Sequence, residues 1–378
     1  MNLFITKFGV FYAFVHKKRA KVLIFLQISK FYFAISQIFT TFAPVMNTFG
    51  EYFTFTSFGE SHGRAIGGVL DGVPAGLQID MQMIRHALDR RAGRTEMDSE
   101  RLTLKGAVSS RALRERDEVE WLSGVLDGVT LGTPIAFIIR NQDQRSEDYE
   151  WLKHSFRIGH ADRTYQEKYG IRDHRGGGRA SARETASRVV AGSVAMQLLA
   201  QKNIYIHAEL IQVGTENDPA KFQAYIEEIR QSGDSVGGII ECTITGAPVG
   251  VGEPIFDKLQ SHLAFAMMSI NACKGFEYGS GFRYADKLGT EMYLSDDLML
   301  ISGGIAGGIS DGTPIVFRCV FKPTATNSHT LAQLSAANTH SSVPNYQHPT
   351  GRHDACVAIR AVPVVEAMAA LVLIDLLQ

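Results

Sequence analysis

The chain has 378 residues, 45% hydrophobic and 20% charged, and its 38 Lys and Arg against 39 Asp and Glu give a formal net charge of -1. That is the composition of a globular chain long enough for one large or two medium domains, and it excludes wholesale disorder. It also excludes a generally polyanion-binding surface, so any anion site must be built locally from clustered arginines, and nucleic acid is not an expected partner.

Residues 1–45 are rich in Phe, Ile and Lys and hold no Asp or Glu, the first acidic side chain being Glu51. This extension is predicted to lie outside the fold. Lys30 interrupts the apolar stretch from Val22 to Phe39, leaving it too short for a membrane span, and serine and arginine are too few for a typical transit sequence. Met46, just before Asn47-Thr48-Phe49-Gly50, is the expected start, and residues 46–378 are expected to form one domain. Cys242, Cys273, Cys319 and Cys356 stand singly, against a zinc site and against a disulfide framework; reduced thiols, no metal, no membrane and a cytoplasmic location are expected.

Alternation predicts a strand from Glu51 to Phe58, the turn segment GESHG at 59–63, and a second strand from Gly68 to Asp71. After Gly72-Val73-Pro74-Ala75-Gly76 comes a helix capped by Asp80, with Ile84, Ala87 and Leu88 on one face. The pattern then echoes. Thr243 to Thr245 leads into Gly246-Ala247-Pro248-Val249-Gly250 and a helix carrying Leu259, Leu263, Met267 and Ile270. Gly132-Thr133-Pro134-Ile135 and Gly312-Thr313-Pro314-Ile315 each open an apolar strand, and each strand is followed about fifty residues on by a long helix, Glu184 to Lys202 and Pro363 to Leu377. The reading is an α/β (α+β) fold of two pseudo-symmetric halves packed as one unit, against the alternative that such turns recur by chance. The closing helix is nearly all apolar and is predicted to be buried on most sides.

RGGGRASARET at 175–185 combines three glycines, three arginines and a helix expected to begin near Ser181. Glycines let backbone approach a ligand, helix starts present unpaired N–H groups, and arginines add forked bonds, so the run suits a phosphorylated or flavin ligand; the alternative is a solvated surface loop. His62 in GESHG, His160 in RIGHAD and His353 in GRHDAC sit where loops display side chains, and histidine exchanges protons near neutral pH. Arg90, Arg91, Arg94, Arg157, Arg179, Arg183 and Arg352 together would suit a substrate with a phosphate and carboxylates.

Three long segments, SFGESHGRAIGGVLDGVPAG at 57–76, YGIRDHRGGGRASARETASRVVAG at 169–192 and GRHDACVAIRAVPVVEAMAA at 351–370, closely resemble the chorismate synthase family. Supporting pieces are DQRSEDY at 143–149, GHADRTYQEKYG at 159–170 and MSINACKGFEYGSGF at 268–282. The resemblance implies a β-α-β sandwich assembling as a homotetramer. It implies a lyase that uses reduced FMN to convert 5-enolpyruvylshikimate-3-phosphate to chorismate and phosphate by 1,4-trans elimination. It implies His62 near the leaving phosphate, His160 serving the flavin, and Asp354 near the flavin N5, with Ser61 and Ser181 in support. Implied FMN contacts are Arg179, Ala180, Ser181, Asn271, Ala272, Gly307, Lys322, Pro323, Thr324, Ala325, Thr326 and Arg352. Arg91 and Arg94 are implied to meet substrate or NADPH, the flavin being reduced either in place by NADPH or by an external flavin reductase.

The chain departs from the family pattern at Arg90-Arg91-Ala92-Gly93, at Ala180, at Leu300-Ile301 and over 327–350. These departures define a second reading, a paralogue that binds flavin or an anion without catalysis. A generic flavin oxidoreductase finds no support, because no dinucleotide-binding Gly-x-Gly-x-x-Gly strand-turn-helix is present.

Overall fold

The computed structural model describes residues 47–94, 116–142, 146–157, 159–293, 302–325, 327 and 354–378. The N-terminal extension, Leu300-Ile301, Thr326, Arg352 and His353 lie outside the described residues. Asn47–Arg163 with Asp173–Gln378 form one unit, and Thr164–Arg172 belongs to another. The architecture below is that of the larger unit.

The first half carries β1 (Thr48–Phe49), β2 (Thr54–Phe58), β3 (Ala65–Asp71), helix α1 (Met81–Ala92), β4 (Val119–Trp121), the short hairpin β5 (Val125–Leu126) and β6 (Val129–Thr130), and β7 (Ile135–Arg140). Four of these join β1 in an antiparallel sheet ordered β1-β2-β3-β7-β4. Strand residues alternate faces, so Ile135, Phe137 and Ile139 of β7 all enter the core. A short helix α2 (Asp162–Tyr169) precedes α3 (Thr185–Ala200).

The second half repeats the plan with β8 (Tyr205–Val213), α4 (Phe222–Gln231), β9 (Gly238–Thr245), α5 (Leu259–Met268), β10 (Cys273–Tyr278), α6 (Gly289–Tyr293), the hairpin β11 (Ile305–Ala306) and β12 (Ile309–Ser310), β13 (Ile315–Phe321), and α7 (Ala358–Leu376). Its sheet is ordered β8-β9-β13-β10, the same rank order along the chain as β2-β3-β7-β4. Equivalent turns are tied by equivalent bonds. Thr130 Oγ1 donates to Pro74 O and accepts from Leu77 N, while Ser310 Oγ donates to Pro248 O and accepts from Val251 N. Recurrence by chance does not reproduce hydroxyl bonds at matching positions, so the two-half reading stands.

Helices α3 and α7 lie against each other between the sheets, α3 touching β2 and β3 and α7 touching β8 and β9. Gly192 permits this. A Cβ there would sit 2.3 Å from both Cα and Cβ of Ala367. The buried Glu366 of α7 then links the halves, taking two bonds from Arg90 of α1 at 2.7 and 3.0 Å and one from Ala208 N of β8 at 2.9 Å. A buried carboxylate so bonded avoids the cost of an unpaired charge.

Several boundaries differ from the sequence reading, among them the start of β3 at Ala65 rather than Gly68 and the end of α3 at Ala200 rather than Lys202. The strand expected from Glu51 is β2 and begins at Thr54, because the N–H groups of Glu51, Tyr52 and Phe53 all converge on the Asp375 carboxylate at the end of α7 and are not extended toward a ladder; a short strand β1, Thr48–Phe49, precedes it. The last helix begins at Ala358, five residues before Pro363, which it carries inside. Ser181 caps a 3-10 turn, Ala182–Glu184, and α3 proper starts at Thr185. Among the described residues no helix is long and apolar enough to cross a membrane.

Gly192→Ala is expected to lower unfolding free energy by about 1–3 kcal/mol, because a dense core admits an extra methyl only by shifting its neighbours. An unchanged urea midpoint and slope would contradict the close crossing.

Candidate functional site

The glycine run folds as two turns of 3-10 type broken by left-handed backbone, with φ of 59°, 86° and 52° at Gly176, Gly177 and Gly178. Its missing side chains leave room for two imidazoles. A Cβ on Gly176 would stand 1.9 Å from His62 Nδ1, and one on Gly177 would stand 2.9 Å from His160 Cε1 and 3.1 Å from its Nε2. The run therefore brings His62 and His160, 98 positions apart in the chain, onto one short piece of backbone.

His62 is buried in the loop between β2 and β3, its ring edge-on to Tyr149 at 4.8 Å between centroids. Asn141, just past β7, fixes that loop by donating to Glu60 O and Gly63 O, and Ser61 N donates to Gly178 O at 3.3 Å. Arg179 donates to Ser57 Oγ at 2.6 Å and to the carbonyls of Ser57 and Gly59. The histidine loop and the glycine run are thus sewn to each other by backbone and arginine.

His160 stands beside Asp162, whose carboxylate is nearly inaccessible and accepts from Arg157 N, Nε and Nη2 at 3.1, 2.8 and 2.9 Å. Burial would raise the Asp162 carboxyl, but hydrogen bonds from Arg157 and His160, with the charge of Arg157, outweigh it and hold the group far below the usual carboxylate range.

The same neighbourhood takes in most residues of the flavin assignment. Asn271 Nδ2 donates to Ala180 O at 3.1 Å, Lys322 N donates to Ala272 O at 3.0 Å, and Lys322 Nζ donates to Gly159 O at 2.8 Å, one residue from His160. Burial, with Lys274 nearby, lowers the Lys322 ammonium from its ordinary value. Ala272 adopts a φ of 68°, a conformation that non-glycine residues rarely hold. Pro323, Thr324 and Ala325 continue the strand end after β13, and Thr324 Oγ1 donates to Asp354 O. Asp354 is held by Arg360 at 2.8 Å, and Arg360 Nε also donates to Arg91 O. Gly307 is placed elsewhere, in the β11–β12 turn beside the start of α5, where Gly308 O accepts from Leu259 N. The length of α5, roughly 15 Å, separates that turn from Asn271.

The arginines divide. Arg91 is buried, its Nε on Thr185 Oγ1 and its Nη2 on Ala182 O and Arg183 O, and it shares the carboxylate of Asp117 with Arg183. Burial first, then Arg360 and Arg183, push the Arg91 guanidinium down to about 9 against the pull of Asp117. Burial would raise Asp117, and the two arginines outweigh it and lower it. Arg183 also donates to Asn141 Oδ1 at 3.0 Å, which connects this buried group to the His62 loop. Arg94 pairs with Asp89 at the end of α1.

Sequence reasoning missed Asn141, Asp117, Tyr149, Asp162 and Arg360. Only Asp162 left a signal, an acid two positions after His160 in RIGHAD.

The family model for chorismate synthase matches residues 53–378. This chain belongs to the chorismate synthase family. Chorismate synthases of Christiangramia forsetii and Flavobacterium psychrophilum are 47% and 45% identical to it over 87% of this chain and 96% of each relative. That of Porphyromonas gingivalis is 47% identical over 87% of this chain and 95% of the relative. A crystal structure of a chorismate synthase, 29% identical, covers 87% of this chain and 92% of its own with a TM-score of 0.63. The chain is accordingly an enzyme of the lyase class, with chorismate synthase function; nothing in these likenesses favours a non-catalytic paralogue.

Gly176→Ala is expected to displace the His62 ring and lower turnover on the order of 100-fold in a protein that still folds, since misplacing a reacting group by about 1 Å has that effect. Wild-type turnover would show that the ring is not held by the glycine run. Asp117→Ala leaves two buried guanidinium groups without their carboxylate, and equilibrium denaturation should show a loss of about 3–5 kcal/mol.

Proposed function

We propose that the cluster around the glycine run binds reduced FMN together with 5-enolpyruvylshikimate-3-phosphate and eliminates phosphate to give chorismate. The observation that carries this reading is the convergence of His62 and His160 on Gly176 and Gly177, joined through Ala180 to Asn271 and through Gly159 to Lys322. The residues suit a flavin. The Asn271 Oδ1 is buried with no hydrogen-bond partner among the described residues, Ala272 holds a left-handed turn, and Lys322 offers a partly desolvated cation near where phosphate or an anionic ring would lie.

In the elimination the C–O bond to phosphate breaks with its electron pair leaving on phosphate, the C6 hydrogen leaves as a proton, its C–H pair forms a new ring double bond, and the existing ring double bond shifts to the carbon that carried phosphate, so no net redox change occurs. Bound reduced FMN supplies electron density and a nitrogen base at the substrate ring. His62 donates a proton to the departing phosphate, a task suited to an imidazole near neutral pH. His160 turns its Nε2 toward Gly177, on the other side of the run, as the ring atom that exchanges a proton. Arg360 fixes the Asp354 carboxylate at the start of α7, and Ser61 and Ser181 support the loops that carry His62 and Arg179. Arg91 acts from within, holding Ala182 and Arg183, rather than by touching substrate or NADPH. Thr326, Arg352, Gly307 and Arg94 keep their assigned contacts as part of the proposal, along with a cytoplasmic homotetramer and reduction of flavin by NADPH or an external reductase.

Anaerobic incubation of 5-enolpyruvylshikimate-3-phosphate with the protein and chemically reduced FMN should yield equimolar chorismate and phosphate. His62→Ala and His160→Ala should each lower kcat by about 100-fold or more while FMN affinity stays near wild type. Tight FMN binding without product would favour the non-catalytic reading, and undiminished turnover in both variants would remove the histidine roles. Adding NADPH in place of the chemical reductant separates intrinsic from external reduction.

A further inference from the structure

We propose that Asp162 is a positioning residue that fixes the tautomer of His160, keeping a proton on Nδ1 and turning Nε2 toward the glycine run. The inference rests on the reading of His160 as a participant in the reaction, and it concerns a residue that makes no contact with the reacting atoms.

The geometry offers His160 Nδ1 two neighbours. Asp162 Oδ1 lies 2.9 Å away and Arg157 Nη2 lies 3.1 Å away. If Arg157 donated to a bare Nδ1, the ring would carry its proton on Nε2 and the Nδ1 lone pair would face an ionised carboxylate oxygen at hydrogen-bond distance. If Nδ1 carries the proton, it donates to that carboxylate, a charge-assisted bond and the stronger of the two. Arg157 meanwhile already has carboxylate partners for Nε and Nη2, and its backbone N–H bonds the same group. The carboxylate is therefore locked in place before the imidazole meets it. With a side-chain exposure of 2% it has little access to water as an alternative donor.

The other groups around the ring do not compete for Nδ1. Gly177 presents backbone to Cε1 and Nε2, and Lys322, the cation that reaches this loop from the end of β13, donates its Nζ to Gly159 O. The arrangement repeats the logic of any acid–imidazole pair in which the acid holds one ring nitrogen so that the other can exchange a proton. Arg157 adds a distinct feature, since its positive charge keeps Asp162 ionised and prevents the acid from taking the imidazole proton for itself.

The test reads the tautomer directly. Long-range proton–nitrogen correlation spectra of the ¹⁵N-histidine-labelled full chain, with His160 assigned by its loss in His160→Gln, should show a protonated, pyrrole-type Nδ1 and a pyridine-type Nε2 at a pH where the ring is neutral. Asp162→Asn should shift the population toward Nε2–H and lower kcat by about 100-fold with KM changed less than threefold, as expected when an orienting acid is replaced by its amide. A wild-type ring protonated on Nε2 overturns the proposal without any variant, as does an Asp162→Asn protein that keeps the wild-type tautomer. Undiminished turnover in His160→Ala would instead remove the reading of His160, and with it the purpose assigned to Asp162, whatever tautomer the spectra show.

Discussion

Everything in the larger unit depends on the close contact of α3 and α7. Two half-folds each present one apolar sheet face and one long apolar helix, and neither pair buries enough surface alone. Laying the two helices together between the sheets gives all four elements a common core, and the contact is made possible by Gly192 against Ala367, where no side chain larger than hydrogen fits. Glu366 and Asp375 then fasten α7 to the first half by hydrogen bonds to Arg90 and to the N–H groups of Glu51 to Phe53. Polar groups of that kind add little net stability but discriminate strongly against other packings, because a displaced helix would leave a buried carboxylate without partners.

The site follows from that contact. The glycine run and Ser181 lead directly into α3, and Asp354 and Arg360 stand at the start of α7. Each helix start brings its own loop, so the two halves contribute to one neighbourhood, and Asn271, in the turn before β10, and Lys322, just past β13, reach it from the second sheet. Below lies a buried charged group, Arg91 and Arg183 about Asp117, which links α1, the turn before α3 and Asn141. Arginines that a linear reading assigns to a ligand are here directed at protein oxygens. They shape the site by holding the backbone from which the histidines and Arg179 project.

The glycines of the run have a double purpose. Their left-handed backbone makes the turn, and their lack of Cβ atoms admits two imidazole rings against it. A loop built only to cradle an anion would need the first property and not the second. The close fit of His62 and His160 accounts for Gly176 and Gly177, and the backbone of Gly178, with φ 52° and ψ -126°, accounts for the third glycine.

The sequence by itself determined the family, the repeat and the elements, because these are written in local patterns: proline-glycine turns at matching offsets, apolar strands after Gly-Thr-Pro, an Asp80 cap and an all-apolar closing helix. It also singled out His62, His160, Arg179 and Asp354 as candidates, since their segments are distinctive. Element ends were less legible where distant groups set them, as when Asp375 takes the N–H groups of Glu51 to Phe53 and delays β2 by three residues. Only the tertiary structure decided that Arg91 faces inward, that Gly307 lies at the far end of α5 from Asn271, and that Asp162 shares its carboxylate between Arg157 and His160. Those facts depend on which oxygen stands within about 3 Å of which donor, a relation between distant chain positions that neither composition nor spacing encodes.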